Sequence, residues 1–293
     1  MFLEKLITRR WRILLPLVVS CLLATACSST RLGYGALPLW LGWQIDRHLG
    51  LDAAQSELVS TRVDALHRWH RQTQLPAYTA FLGSVQARLD GSVGPADISR
   101  WRADVLAAWT PIAERIAPDL AALALTLRPS QLERLASRFE ESNRDERRKL
   151  LPDSAERRVE ARAERVLERV RFFISDLPSR QEREIRLLAA ELPASEADWL
   201  AEREARQQAL LAVLGRIVRE RPPPETAQRW CREMLTGFWR SDDPVRREAI
   251  ARATAASDAL SATILARSAP AQREQLHARL RGFADDFSVL AAR

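Results

Sequence analysis

Two histidines three residues apart, His67 and His70, are the strongest candidates for chemistry in the sequence. Residues at this spacing share one face of a helix, as two imidazole ligands of one metal ion would have to. Asp46 or His48 would then supply a third ligand. The alternative is that His70 packs with Trp69 at a joint between helices while His67 faces solvent. We favour the alternative and predict no metal and no cofactor, because the chain has no His-Glu-x-x-His, paired-cysteine or EF-hand pattern.

The same segment combines aromatic and basic residues, which favours a binding surface. It runs His67-Arg68-Trp69-His70-Arg71 and is followed by Leu75-Pro76 and Tyr78. A second aromatic stretch, Trp40-Leu41-Gly42-Trp43, precedes it. The candidate binding or interaction residues are Trp40, Trp43, Asp46, His67, Trp69, His70, Arg71 and Tyr78.

No other pattern in the sequence indicates catalysis. There is no Gly-x-Ser-x-Gly nucleophile elbow and no glycine-rich phosphate loop. The carboxylate pairs Glu140/Glu141 and Asp285/Asp286 are adjacent in sequence, so on a helix they point to different faces and cannot share a substrate. The sequence therefore offers no catalytic residue to assign.

Composition indicates an all-helical protein. Ala, Leu, Arg and Glu, which are strong helix formers, dominate, and only 10 glycines occur among 293 residues. Apolar residues recur at helical spacing, and no segment alternates as a strand would. Short joints marked by proline separate the helical segments, which favours antiparallel neighbours. We predict an all-α fold, a multi-helix antiparallel bundle of about ten helices after the signal peptide.

Prolines and turn residues predict the boundaries of the first helices. Residues 36–51 are apolar on most sides, which favours a core helix over one that lies on a bilayer. Asp52 caps the next helix, which we expect to end before Pro76. Another helix then runs from Pro76 to Leu89, and a long helix kinked at its two internal prolines covers 95–126.

The later helices carry a regular apolar pattern. Val159, Val166 and Phe173 recur every seven residues, which is typical of a coiled-coil seam. Arg and Glu interleave over 156–171, which predicts a solvated face crossed by ion pairs. Any division of the helical domain into two subdomains falls near 127–152.

The N-terminus has the features of a bacterial lipoprotein signal peptide. Basic residues precede an apolar run that is too short to span a bilayer, and Ala24-Thr25-Ala26 supplies small residues before Cys27. We predict cleavage after residue 26 and lipidation of Cys27. Cys21 is the alternative, although cleavage there leaves a shorter apolar run. The chain then divides into a signal peptide (1–26), a lipid-anchored tether (27–35) and an all-helical domain (36–293).

Cleavage changes the charge and the cysteine count of the mature chain. Residues 1–26 carry a net charge of +3, so about +4 remains of the formal +7. Cys231 then lacks an intramolecular partner, which excludes a disulfide framework. Arg alternates with Glu instead of forming a basic stripe with stacking aromatics, so we expect no nucleic-acid partner. Ser28 stands where Asp would favour inner-membrane retention, which favours the periplasmic face of the outer membrane.

A short motif, Leu-x-x-x-Gln, recurs at predicted helix starts. It occurs at Leu51–Gln55, Leu127–Gln131 and Leu177–Gln181, and Ser268–Gln272 is a degenerate fourth copy. The copies are too irregularly spaced for a solenoid. We interpret the motif as a recurrent helix-entry signal in which Gln occupies the third helical position.

Two resemblances follow from the motifs. Matching pieces span most of the chain and comprise Cys27-Ser28, Arg31-Leu32-Gly33-Tyr34, Trp40-Leu41-Gly42-Trp43 with Asp46, Trp69 to Tyr78, Leu127-x-Pro129-x-Gln131, Phe139-Glu140-x-x-Asn143 and Trp199-x-x-Glu202-Arg203. In these the chain resembles an uncharacterised family of Gram-negative lipoproteins, a domain of unknown function, which implies an envelope location and a helical fold. Leu-x-x-x-Gln is similar to the Leu-Thr-x-x-Gln motif of small periplasmic helical chaperones, but its second residue here is never Thr or Ser.

Three functions remain open at this point. The favoured one is a scaffold or binding module whose partners are the membrane, through the lipid, and another envelope protein or peptide. The second is a chaperone-like holdase for unfolded envelope proteins. The third is an envelope hydrolase with a site near His70.

Overall fold

The computed structural model describes residues 28–292, which form eleven α-helices and contain no strand. The helices are α1 (Ser28–Leu49), α2 (Ala53–Leu89), α3 (Pro95–Ala107), α4 (Trp109–Ala124), α5 (Pro129–Leu150), α6 (Ala155–Phe173), α7 (Ser179–Ala190), α8 (Glu196–Glu220), α9 (Pro224–Thr236), α10 (Pro244–Ala266) and α11 (Pro270–Ala291). This confirms the predicted all-α, multi-helix bundle. The predicted signal peptide and Cys27 lie outside the described residues.

The first helix begins earlier than the sequence predicts. Residues 28–35, expected as a tether, form the first two turns of α1. The helix ends at Gly50, whose φ of +62° is left-handed and therefore favours glycine. Gly50 N donates to the carbonyl oxygen of Asp46 at 2.6 Å and closes the last turn.

The second helix runs without interruption through Pro76, where the sequence predicts a boundary. Proline lacks an N–H, so the carbonyl of Gln72, four residues earlier, loses its helical partner. Both residues are exposed, and water can therefore hydrate that carbonyl. The predicted break at Pro76 is wrong because the proline lies on the solvent side of the helix.

The long helix predicted over 95–126 is interrupted at one residue. The structure ends α3 at Ala107 and begins α4 at Trp109, and Ala108 between them keeps right-handed helical angles, with φ of −62° and ψ of −15°. Pro111 cannot donate to the carbonyl of Ala107, which is the last residue of α3. Pro118, by contrast, lies inside α4.

One hydrophobic core lies between α4, α8 and α9, and α1, α5 and the first half of α2 pack around it. Ala113, Ala117 and Ala121 recur every four residues on the face of α4 that packs on α9, so the two helices approach closely. Cys231 of α9 is fully buried in this core. Burial raises the pKa of its thiol to about 11, so Cys231 packs as a small neutral side chain.

The second half of α2 lies in another part of the molecule. Val85 packs with Leu276 and Leu280 of α11, and an adjacent cluster forms around Leu167 between α6, α7 and α10. Val59, near the start of α2, belongs to the first core. The 37 residues of α2 therefore connect the two parts.

The interleaved Arg and Glu residues of α6 are not all solvated. Glu196, at the start of α8, is buried and accepts two bonds from Arg162, at 2.8 and 3.0 Å. Arg165 donates to the same carboxylate at 2.8 Å. Part of the face predicted to be solvated therefore forms a buried ionic joint between α6 and α8.

Candidate functional site

His70 of α2 lies between Tyr34 of α1 and Tyr78 of α2, which are the two tyrosines of the chain. Tyr34 Oη is 3.0 Å from His70 Nδ1, and Tyr78 Oη is 3.4 Å from His70 Nε2. A neutral imidazole has one N–H and one lone pair. One phenol therefore donates to the ring and the other accepts from it, so both ring nitrogens are occupied.

His67 binds the backbone of the same neighbouring helix. Its Nε2 is 3.1 Å from the carbonyl oxygen of Tyr34, and the two rings lie 4.5 Å apart. Since a carbonyl only accepts, His67 Nε2 carries the proton. This contact differs from the prediction that His67 faces solvent. The Trp69 ring does lie beside His70, with 6.5 Å between centroids, at the joint between α1 and α2.

Burial keeps this cluster uncharged. It lowers the pKa of His70, and the neighbouring His67 lowers it further. Burial is also the largest cause of the lowered pKa of His67. It raises the pKa of Tyr34 to about 12 and raises that of Tyr78. At neutral pH the cluster is a set of neutral hydrogen-bonded rings in which His70 has no free lone pair for a proton or a metal.

The other proposed ligands lie far along α1. Asp46 and His48 follow Tyr34 by twelve and fourteen residues, or about 18 and 21 Å along the helix axis. Asp46 Oδ1 accepts from Leu51 N at 2.9 Å, and His48 Nδ1 lies 2.7 Å from a backbone carbonyl oxygen. Across residues 28–292, no group of three or more His, Cys, Asp or Glu side chains is placed to hold a metal ion.

Arg71 adjoins the cluster and has an unused donor. Its Nε is buried, and within the described part of the chain no acceptor lies in hydrogen-bonding range. Buried polar groups are nearly always satisfied. Arg71 Nε is therefore a buried donor of the predicted site that lacks a partner within the described residues.

The tryptophans of α1 lie apart from His70, on an exposed face. Four large apolar side chains, which we call the α1 stripe, share one side of the helix: Leu32 (69% exposed), Leu39 (82%), Trp40 (51%) and Trp43 (53%). The Arg47 guanidinium lies 5.3 Å from the Trp43 ring. The opposite side of α1, with Leu41 and Ile45, packs on the first core. The predicted core helix is therefore buried on one side only.

Tyr34 is the site residue that sequence reasoning did not select. The structure places it against His67 and His70, and His70 in turn contacts Trp69 and Tyr78. It stands in the motif Arg31-Leu32-Gly33-Tyr34, and it is one of two tyrosines in 293 residues. Tyrosine rarity was the available signal, but nothing in the sequence shows that both tyrosines bind one imidazole.

No helix within residues 28–292 has the length and apolar character needed to cross a membrane. Neither the curated proteins nor the solved structures give a match. Residues 47–237, well over half of the chain, match a family of unknown function, DUF6279. The match contains His67, His70 and Tyr78, and it begins after Tyr34 and the α1 stripe. The chain therefore belongs to the DUF6279 family of unknown function.

Proposed function

We propose that the chain is a lipid-anchored, periplasm-facing helical module of the outer membrane that binds another envelope protein or peptide. Its anchor is a lipid on Cys27, and its binding surface is the α1 stripe. The basic, apolar and small-residue pattern before Cys27 supports the anchor.

The exposure of the α1 stripe is the observation that carries the binding role. Leu39, Trp40 and Trp43 are each more than half exposed, although the other side of the same helix is packed in a core. Contiguous exposed apolar surface marks interaction sites, and tryptophan is enriched among the residues that dominate binding energy. The stripe is therefore suited to an apolar segment of a partner.

A protein partner fits the stripe better than the bilayer does. Trp40 follows Cys27 by thirteen residues, which corresponds to about 20 Å along a helix. A helix lying flat on the membrane would press Asp46 and Arg47, both exposed, toward the lipid. A helix rising from the anchor holds Trp40 and Trp43 above the headgroups, within reach of a protein.

Photocrosslinking in cells tests the surface. A photoreactive amino acid in place of Trp40 is compared with one in place of Trp199, a 43% exposed tryptophan on α8. We expect a protein adduct of defined mass at position 40 that position 199 does not give. Adducts to lipid alone would assign the stripe to the bilayer. Equal labelling at both positions would show that the α1 stripe is not a specific binding surface.

Labelled palmitate tests the anchor independently. The wild-type chain should incorporate label, and Cys27→Ala should not. Retained label in Cys27→Ala would move the lipidation site to Cys21.

No specific observation in the structure favours either alternative function. The Leu-x-x-x-Gln glutamines that motivate a holdase are buried or half-buried at helix starts, where a client cannot reach them. An aggregation-suppression assay with a denatured client would measure holdase activity directly. A hydrolase near His70 would need a nucleophile that the imidazole can activate. The hydroxyls beside its two nitrogens belong to Tyr34 and Tyr78, whose pKa values are raised by burial, which disfavours the phenolates.

A further inference from the structure

An apolar groove lies between the hydrophobic clusters of the second part of the molecule, bounded by α2, α3, α6, α10 and α11. Its volume is about 310 Å³, and thirteen of its sixteen lining residues are apolar. The main contributors are Val85, Trp101, Val170, Phe173, Leu260 and Leu276. An apolar cavity of about 150 Å³ already binds benzene, so this groove has room for a ligand.

The walls of the groove select against a peptide. All of them are helices, whose backbone donors and acceptors are already paired within each helix. An extended peptide bound there would leave its own amides unsatisfied in apolar surroundings, which is unfavourable. A helical peptide, about 10–12 Å in diameter, is too wide for this volume. A hydrocarbon chain has no groups to satisfy and is narrow enough.

Three polar residues line the groove, namely Arg169 of α6 and Ser257 and Ser261 of α10. The Arg169 side chain forms no ion pair or hydrogen bond with another residue of the described range 28–292, whereas Arg165 and Arg171 of the same helix bind carboxylates. Its guanidinium therefore places an unpaired positive charge beside an apolar groove. This charge complements an anionic headgroup.

We propose that the apolar groove binds the hydrocarbon chain of a free single-chain anionic amphiphile, with the carboxylate or similar headgroup at Arg169. The groove volume of about 310 Å³ is about twice that of a cavity that binds benzene, so a hydrocarbon chain of medium length fits. The bound length corresponds to a medium-chain fatty acid. Burial of each methylene is favourable, so a chain of this length gives measurable affinity.

A neighbouring surface groove gives a route of entry. Phe173 lines both grooves, and the second continues past Phe172, Phe283 and Arg279 to Thr30 near the start of α1. With Cys27 anchored as proposed, this end of the protein lies nearest the bilayer, from which an amphiphile can enter. Only this step rests on the proposed function, because binding in the groove does not need the anchor.

Photolabelling with a diazirine analogue of dodecanoate tests the site on the full chain purified in detergent. We expect saturable labelling of peptides from α6, α10 and α11. Unlabelled dodecanoate should compete, and dodecanol, which lacks the charge, should compete about tenfold more weakly. Absence of saturable labelling, or equal competition by the alcohol, would contradict the proposal.

Groove variants, each paired with a surface control, test whether the probe binds in the groove. Ser261→Phe fills the groove and should abolish labelling, while Ser60→Phe on the exposed face of α2 should not. Arg169→Glu should weaken binding about tenfold, and Arg180→Glu, an exposed arginine of α7, should leave it unchanged. If Ser261→Phe fails to fold, Ser257→Leu takes its place. Undiminished labelling of a folded groove-filling variant would overturn the proposal.

The protein's own lipid is the competing occupant. Wild-type and Cys27→Ala chains should take up the probe equally if the ligand is a free amphiphile. Labelling of Cys27→Ala but not of the wild type would assign the groove to the lipid on Cys27 and contradict the proposal. If the wild-type chain incorporates no palmitate but still binds the probe, the proposed anchor is wrong and the groove assignment stands.

Discussion

Gln55 and Gln131 exchange two amide hydrogen bonds across the joint between α2 and α5. Gln55 Nε2 donates to Gln131 Oε1 at 3.2 Å, and Gln131 Nε2 donates to Gln55 Oε1 at 2.8 Å. Each oxygen also accepts from the backbone N–H of its own N-cap residue, Asp52 or Arg128. The motif is thus the helix-entry signal that the sequence predicts, and it is also a contact between helices.

The other two copies of the motif form a second pair. Gln272 Nε2 donates to Gln181 Oε1 at 2.7 Å, and Gln181 Nε2 donates back at 3.2 Å. Gln272 also accepts from Ala269 N at 3.0 Å. Gln181 follows Pro178, which has no N–H to give. The irregular spacing of the four copies therefore reflects pairing in space, which a search for a fixed sequence period does not detect.

Removing one member of the first pair should be strongly destabilising. Gln131→Leu removes the paired amide bonds and the bonds of Gln131 with Arg128 N and the Gly50 carbonyl oxygen. Gln55 keeps its bonds with Thr126 and Asp52 N. We therefore expect a loss of about 3 kcal/mol in the free energy of unfolding. Gln72→Leu, on the exposed face of α2, should change it by about 0.5 kcal/mol or less. Urea unfolding measures both. The double variant Gln55→Leu/Gln131→Leu should lose less than the two singles combined, and strict additivity would contradict the pairing.

The two glutamines of the second pair, Gln181 and Gln272, should contribute unequally to the free energy of unfolding. Gln272→Leu removes the paired amide bonds, the bond from Ala269 N and the bond to the Asp176 carbonyl oxygen. Gln181→Leu removes only the paired bonds, because Pro178 supplies no N–H. Gln272→Leu should therefore be more destabilising by about 1 kcal/mol. Equal losses in parallel urea titrations would show that neither the N-cap bond nor the bond to Asp176 contributes.

The site was only partly predictable from sequence. The spacing of His67 and His70 places both on one helix, and their neighbour Trp69 indicates a packed joint. The partner helix was not predictable, because Tyr34 lies 36 residues from His70 and reaches it only once α1 folds back along α2. Burial by that helix decides that the imidazoles remain neutral.

The neutral histidines should make stability pH-dependent near pH 6. The lowered folded-state pKa values of His67 and His70 lie below the unfolded value of about 6.5. The unfolded state therefore binds more protons in this window, and the free energy of unfolding falls as pH drops below about 6.5. His70→Gln, whose amide still offers a donor and an acceptor to the tyrosines, should flatten this dependence. Chemical denaturation between about pH 7.5 and 5 measures it, and an unchanged slope would exclude His70 as a source.

The seven-residue pattern in α6 illustrates a second limit of sequence reasoning. Val159, Val166 and Phe173 predict a seam filled by a partner helix. In the structure, Val166 and Phe173 line the apolar groove, where the neighbouring helices leave space. Periodicity identifies an apolar face, but the distance to the opposing helix depends on the packing of five elements and is not encoded in the pattern.

Pro76 provides a test of how α2 connects the two parts. Pro76→Ala restores an N–H that can donate to the Gln72 carbonyl. It also raises the conformational entropy of the unfolded chain, which favours unfolding by about 0.4–1 kcal/mol. Since water can hydrate that carbonyl in the wild type, we expect a net stabilisation of only about 1–2 kcal/mol, or a rise of a few degrees in melting temperature. Pro95→Ala, at the first position of α3, removes a favourable proline and should not stabilise. A Pro76→Ala chain that melts below the wild type would mean that the lost hydrogen bond shapes α2, so that Val59 and Val85 each reach their own core only when the helix is bent.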